Sequence, residues 1–319
     1  MKQEIALVGS GFCFESEDGL PSFFNQINHA QTGRFQTGNL TGQPLRGFPP
    51  RHRALIAQCL KQEKLLHKYL TAPDGFGFYD GSHPDAKWWS LSRKPHHLIP
   101  ASDPVALKTG DAVLLAEPPQ PAAACLPAIQ TAAADLRSGE IDFAVVCAVQ
   151  DEWAPDAGYP GQATDYPAPA FGLSFAMTTL ENALREGLDT EAVIHLDVSS
   201  RKRAYEEPEE VLLRLMERLF RQGAREKDID AVILAGSRNF EVGKLLEDLW
   251  WELDIAHAKV HLPERLFGIA DHNGGGIGLL YALGLARHKV TRTSLTDFRK
   301  GLVGAVDPDG NAGMLYISC

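Results

Sequence analysis

The stretch at 141–149, Ile-Asp-Phe-Ala-Val-Val-Cys-Ala-Val, constrains the fold more than any other part of this chain. Apart from Asp142 its side chains are apolar on both alternating faces, which suggests a strand buried between two covering layers. Similar short apolar runs stand at 112–116, 171–178, 192–198, 229–234 and 314–318. Between them lie stretches of helical periodicity. Those at 122–138 and 179–186 end at Gly139 and Gly187, and 207–222 carries Val211, Leu212, Leu215, Met216, Leu219 and Phe220 on one face. Residues 242–253 and 274–287 read as further helices, the second opening on Gly274, Gly275 and Gly276. Near the N-terminus, 20–33 and 53–70 read the same way, the latter through Leu55, Ile56, Cys59, Leu60, Leu65 and Leu66. Strands alternating with helices predict an α/β protein with parallel character. The rhythm runs twice and changes over near residue 190, which divides the chain into halves 1–190 and 191–319 whose sequences do not visibly repeat.

Two regions depart from this rhythm. Residues 5–11 read as a buried strand closed by a glycine turn at Gly9 and Gly11. A lone Gly-x-Gly without the third glycine is a weak nucleotide signature. Residues 71–102 are rich in Gly, Pro, Asp, His and Trp, and read as a long functional or interface loop. His96 and His97 lie there without further ligands at metal-binding spacing, and Trp88 and Trp89 accompany them.

Composition narrows the functional classes. A formal net charge of −10 argues against a nucleic-acid or anionic-membrane surface. No apolar run approaches the roughly 18–20 residues of a membrane helix, and the N-terminus does not read as a signal peptide. The 5 cysteines are scattered, with no metal or redox spacing, as expected of reduced thiols in a cytoplasmic protein with neither metal nor cofactor.

Several segments carry a resemblance. Ile5-Ala6-Leu7-Val8-Gly9-Ser10-Gly11-Phe12-Cys13-Phe14 is similar to an I-A-I-V-G-x-G-x-R-F opening, and Leu20-Pro21-Ser22-Phe23-Phe24 to D-P-x-x-F-W. Leu136-Arg137-Ser138-Gly139-Glu140-Ile141-Asp142-Phe143-Ala144 matches L-R-S-G-E-x-D-x-A closely. The run ending Leu180-Glu181-Asn182-Ala183-Leu184-Arg185-Glu186-Gly187 is similar to R-L-E-D-A-L-x-x-G. Residues 278–288 are similar to the helix after a last catalytic histidine, and Asn311-Ala312 to the end of a G-G-T-N-A loop. In this collinear order the segments resemble the β-ketoacyl synthases of the thiolase superfamily. The resemblance implies a five-layered αβαβα sandwich of two similar halves, dimerisation through paired strands, and acyl thioesters as substrates. The chain is short for that family, and the missing length falls in loops.

The family condenses acyl units with a cysteine at a helix N-terminus, two histidines that polarise a thioester carbonyl, and a lysine in a K-S-N-I-G-H motif. Aligned without gaps on C-S-S-S-L-x-A-L-x-x-A-x-x-x-L-R-S-G, the nucleophile position is Ala122. Cys125 falls about one helical turn further on. A rival alignment with a three-residue deletion puts Cys125 at the nucleophile instead; as a plain residue it reads as a small buried helix side chain. The D-x-V-x-x-H-G-T motif corresponds to Asp230-Ala231-Val232-Ile233-Leu234-Ala235-Gly236-Ser237, with Ala235 at the first histidine. Phe267-Gly268-Ile269-Ala270-Asp271-His272 stands at K-S-N-I-G-H, which keeps the second histidine as His272 and replaces the lysine by Phe267. His272 also reads as a polar residue at a helix start, where Asp271 or Asn273 could cap.

On this reading the resemblance implies a catalytically degenerate ketosynthase-like protein of fatty-acid or polyketide biosynthesis. It would act as a chain-length-factor-like partner subunit, a homodimer or a heterodimer with an active ketosynthase. An acyl carrier protein is a possible partner, and an acidic one would need a local basic patch. Trp88, Trp89, Trp153 and Trp250 are candidates for interface or tunnel walls, with core packing the plainer role of each. The alternative is an acyltransferase or thioester hydrolase that uses Cys125 and His272, oriented by Asp271, without decarboxylation. An unrelated α/β enzyme is the third reading, since fold alone does not fix function.

Overall fold

The computed structural model describes residues 3–14, 50–81, 125–150, 171–203, 205–235, 255, 257–263, 273–287, 298–306 and 311–319. Strand β1 (Ile5–Phe14) runs through Gly9 and Gly11, where a turn is expected from the sequence. The glycines answer to packing. A Cβ on Gly9 would sit 1.9 Å from the Cys59 carbonyl oxygen, and one on Gly11 would sit 2.6 Å from Ser174 Oγ. Bare backbone at these two positions lets helix α1 (Pro50–Cys59) lie directly on the strand.

The expected helix at 53–70 is two helices, α1 and α2 (Glu63–Thr71). Gln62 interrupts them in an extended conformation, ψ 126°. Its side chain bonds both polar groups of Asp189, donating to the carbonyl at 2.8 Å and accepting from the amide at 2.9 Å, and it also donates to the Val8 carbonyl. Inside the region read as loop, a 3-10 turn (Pro73–Gly75) leads into a strand, β2 (Phe76–Asp80). Phe76 stacks on Phe143 at 4.7 Å, so this short aromatic segment is held by tertiary contact that its own sequence does not announce. The remainder of that region, with Trp88, Trp89, His96 and His97, lies outside the described residues, as do 20–33, 112–116, 242–253, Trp153 and Trp250.

The remaining elements follow the alternation. They are α3 (Cys125–Ser138), β3 (Phe143–Gln150), β4 (Phe171–Thr179), α4 (Leu180–Glu186) and β5 (Ala192–Arg201). After these come α5 (Pro208–Arg221), β6 (Ala231–Ala235), β7 (Lys259–His261), α6 (Gly274–Arg287), β8 (Lys300–Val306) and β9 (Asn311–Ser318). Asn311 and Ala312 open β9 and are not loop residues. Helix ends are set locally. Thr179 accepts from the Asn182 amide to cap α4, Gly187 closes it at φ 62°, and Glu207 and Glu210 make a capping box on α5.

The strands order as β2-β3-β4-β1-β5-β9-β8-β6-β7, and the two sides of the β1/β5 seam mirror each other strand for strand, with β7 the extra strand on one edge. Moving outward from the seam, each half places its last strand antiparallel (β4 or β9), then an antiparallel neighbour (β3 or β8), then a parallel one (β2 or β6). The sheet is therefore mixed, because a short connection such as that between β8 and β9 returns the chain antiparallel. The seam itself is three residue pairs, Ile5↔Ile194, Ala6↔Val193 and Leu7↔Ala192.

Strand alternation sorts the core into three clusters. Ile5, Leu7, Val146, Phe175, Ile233 and Leu315 face a central layer made by α3 and α6. Ala6, Val8, Val145 and Phe143 face α1 and α2 on one outer side. Val232, Leu302 and Met314 face α5 on the other. The two arms of this sheet on either side of the seam, with helices outside each and between them, make the five layers, each held by buried side chains contributing about 1.5–3 kcal/mol apiece.

Candidate functional site at the junction of the central helices

Helices α3 and α6 meet in the middle layer, and their contact is built from glycine on one side and bulk on the other. A Cβ on Gly275 would fall 2.1 Å from Leu126 Cγ, and one on Gly276 would fall 2.6 Å from Cys125 Sγ. Leu126 also reaches β9, 3.2 Å from where Gly313 would carry a Cβ. The glycine run of α6 thus permits a backbone approach that any side chain would block.

Cys125 is the first described residue of α3 and is 0% exposed, with its Sγ against Gly276 at the start of α6. Ala235 ends β6 and is 1% exposed, so the position aligned with the first histidine holds a buried methyl group that can neither donate nor accept a hydrogen bond. Ala122, Phe267, Asp271 and His272 lie outside the described residues. The structure therefore brings Cys125 against the start of α6 but does not show a Cys125–His272 contact. Asn273, the residue after His272, is 1% exposed, and its Oδ1 has no hydrogen-bond partner. The N-terminal cap expected of it is accordingly not made through that oxygen. Such a group leaves part of its desolvation cost uncompensated.

Other titratable groups lie away from this junction. Burial pushes the Cys59 thiol up to about 12, which keeps it protonated and unreactive. His261, on β7, is held below its usual range by burial and then by Lys259, and its Nδ1 lies 3.2 Å from the Tyr281 hydroxyl of α6. A surface cavity of about 380 Å3 is lined by Arg225, Glu226, Lys227 and His257. It opens beside the residues that lead into β6, at the opposite end of that strand from Ala235. Among the described residues no group of His, Cys, Asp and Glu is arranged to hold a metal ion. No described helix is long and apolar enough to cross a membrane.

Sequence reasoning missed one polar constellation, Glu4, His195 and Ser318. No local signal marks it, because its members are separated by 191 and 123 positions and only the sheet brings them together.

No protein-family model and no curated protein matches the sequence. Solved structures do match the fold. An oxazolomycin ketosynthase domain of Streptomyces albus aligns with a TM-score of 0.59 at 16% identity, over 99% of this chain and 95% of that one. A type II polyketide acyl-carrier protein in complex with its ketosynthase, bound to the hexaketide, gives 0.63 at 13% identity, over 100% and 99%. The ishigamide ketosynthase/chain length factor gives 0.57 at 14% identity, over 100% and 99%. The chain thus shares the fold of these ketosynthases, the thiolase-like fold that its motifs implied.

Proposed function

We propose that this chain is a ketosynthase-like protein of polyketide or fatty-acid biosynthesis that has lost the condensing reaction and serves as a chain-length-factor-like partner of an active ketosynthase. The observation that carries this reading is Ala235. Decarboxylative condensation requires a charged or hydrogen-bonding group beside the thioester carbonyl as the enolate forms. At the end of β6 the chain offers a buried methyl group instead. Ala122 and Phe267, at the nucleophile and lysine positions of the resemblance, agree with it. The ketosynthase/chain length factor among its structural neighbours supports the pairing, and the carrier-protein complex supports an acyl carrier protein as a further contact. The division into halves at 190/191 and a cytoplasmic location belong to the same proposal.

The alternative, acyl transfer or thioester hydrolysis by Cys125 with His272, rests on the closeness of Cys125 to the start of α6. The full exclusion of Cys125 from solvent weighs against it. The test is turnover of a malonyl carrier-protein thioester with an acyl carrier protein as acceptor, by the chain alone. Neither decarboxylation nor a β-ketoacyl product is expected. Product made by the chain alone would overturn the proposal.

A further inference from the structure

On the outer face of the seam three side chains line up as nucleophile, base and carboxylate. His195 Nε2 lies 2.8 Å from Ser318 Oγ, and His195 Nδ1 lies 2.6 Å from Glu4 Oε1. A hydroxyl bonded to an imidazole that is itself oriented by a carboxylate is the arrangement that activates serine for acyl transfer. The fold has a specific reason for it. Strand β5 slips register between Ile194 and Leu196, so His195 is an extra residue. Ile194 keeps its place in the central core, Leu196 packs on the outer cluster, and His195 turns to that outer face as well. Bulges commonly re-aim a side chain in this way. The Tyr316 ring, centred 5.3 Å from the imidazole, backs it on one side.

We propose that Ser318, His195 and Glu4 form an acyl-transfer site for small carboxylic oxyesters, separate from the α3–α6 junction. His195 and Glu4 are 24% and 43% exposed, so a small ester can reach them. Lys300 stands directly across from Ser318 in β8, and opposed residues of an antiparallel pair share a face. The Lys300 ammonium lies 3.2 Å from Asp228, so the strand beside the site carries an ion pair. In the reaction Ser318 Oγ attacks the ester carbonyl carbon while His195 Nε2 takes the hydroxyl proton. The carbon–oxygen bond to the alcohol breaks, and the alcohol leaves with that proton. Water, deprotonated by His195, then cleaves the acyl-serine and restores the hydroxyl. Glu4 is a positioning residue that fixes the imidazole tautomer.

The test uses the full chain and a fluorophosphonate, which phosphonylates an activated serine with loss of fluoride. One adduct is expected, mapping to the peptide that carries Ser318. It should be absent in Ser318→Ala and formed at least about tenfold more slowly in His195→Gln, with 4-nitrophenyl acetate hydrolysis falling in parallel. Glu4→Gln should slow labelling, and Glu4→Asp, which keeps a carboxylate, should restore part of the rate. Equal rates in wild type and Glu4→Gln would remove Glu4 from the proposal. No adduct on Ser318 in wild type of native circular dichroism, or ester hydrolysis that survives in folded Ser318→Ala, would overturn the site altogether.

Discussion

Helices α3 and α6 occupy matching places in the two halves, each preceding the strand that pairs antiparallel with the last strand of its half. They fill those places by opposite means. α3 presents Cys125, Leu126 and Ile129, all fully buried, whereas α6 opens on three glycines and presents backbone. The difference teaches that their contact is set by one-sided complementarity. Bulk from α3 enters the space that glycine leaves on α6. At the position where the family resemblance places an attacking thiol or its near neighbour, this chain has a packed interface.

The largest effects should come from breaking that complementarity. Leu126→Ala removes the side chain that meets both Gly275 and Gly313, and should cost about 2–5 kcal/mol in denaturant unfolding. Gly275→Ala, whose new Cβ meets Leu126 at 2.1 Å, should cost about 1–3 kcal/mol through overpacking. Combining the two should cost less than the sum of the singles, because the alanine at 275 fills space that Leu126 vacates. Strict additivity would contradict direct packing of these residues.

Next in size is Cys125→Ser, which puts a hydroxyl at a site with 0% exposure and should destabilise by about 1–3 kcal/mol. Thr179→Ala, at the capped start of α4, is the peripheral control. Loss of the bond from the Asn182 amide, 3.1 Å long, should cost about 1 kcal/mol and leave the α3–α6 contact untouched.

The smallest effect concerns pH. Burial, with Lys259 second, lowers the His261 pKa below 6.5, so the folded state binds fewer protons than the unfolded state near that pH. Its contribution is present above 6.5 and is lost as pH falls through that value toward the lower folded one. His261→Phe should flatten this part of the dependence of Tm on pH, and an unchanged slope would assign it to other groups.

Much of the fold was legible in the sequence because periodicity is local. The limits of α6 are those its pattern predicts, and β4 and α5 lie within a residue of theirs. What was not legible depended on distant partners. Gly9 and Gly11 read as a turn because the α1 residues that press on them, Cys59 and Gln58, lie 50 and 47 positions away. The break at Gln62 depends on Val8 and Asp189, and β2 on Phe143. Of the site, the sequence aligns Ala235 with the first histidine through the register that Gly236 fixes, an alignment that belongs to the proposed function. Whether Cys125 is reachable was not legible, since its burial depends on the distant start of α6 at Gly276. Glu4, His195 and Ser318 were invisible for the same reason, because a register slip in β5 assembles them.

The measurement that tests the central claim most directly is peptide-mapped mass analysis of the whole chain after incubation with acyl carrier-protein thioesters, with Cys125→Ser alongside. The account predicts no acyl group on the peptide that carries Cys125. An acyl adduct on that peptide in wild type, absent from Cys125→Ser, would contradict it and make the chain an acyl-transfer enzyme at the α3–α6 junction.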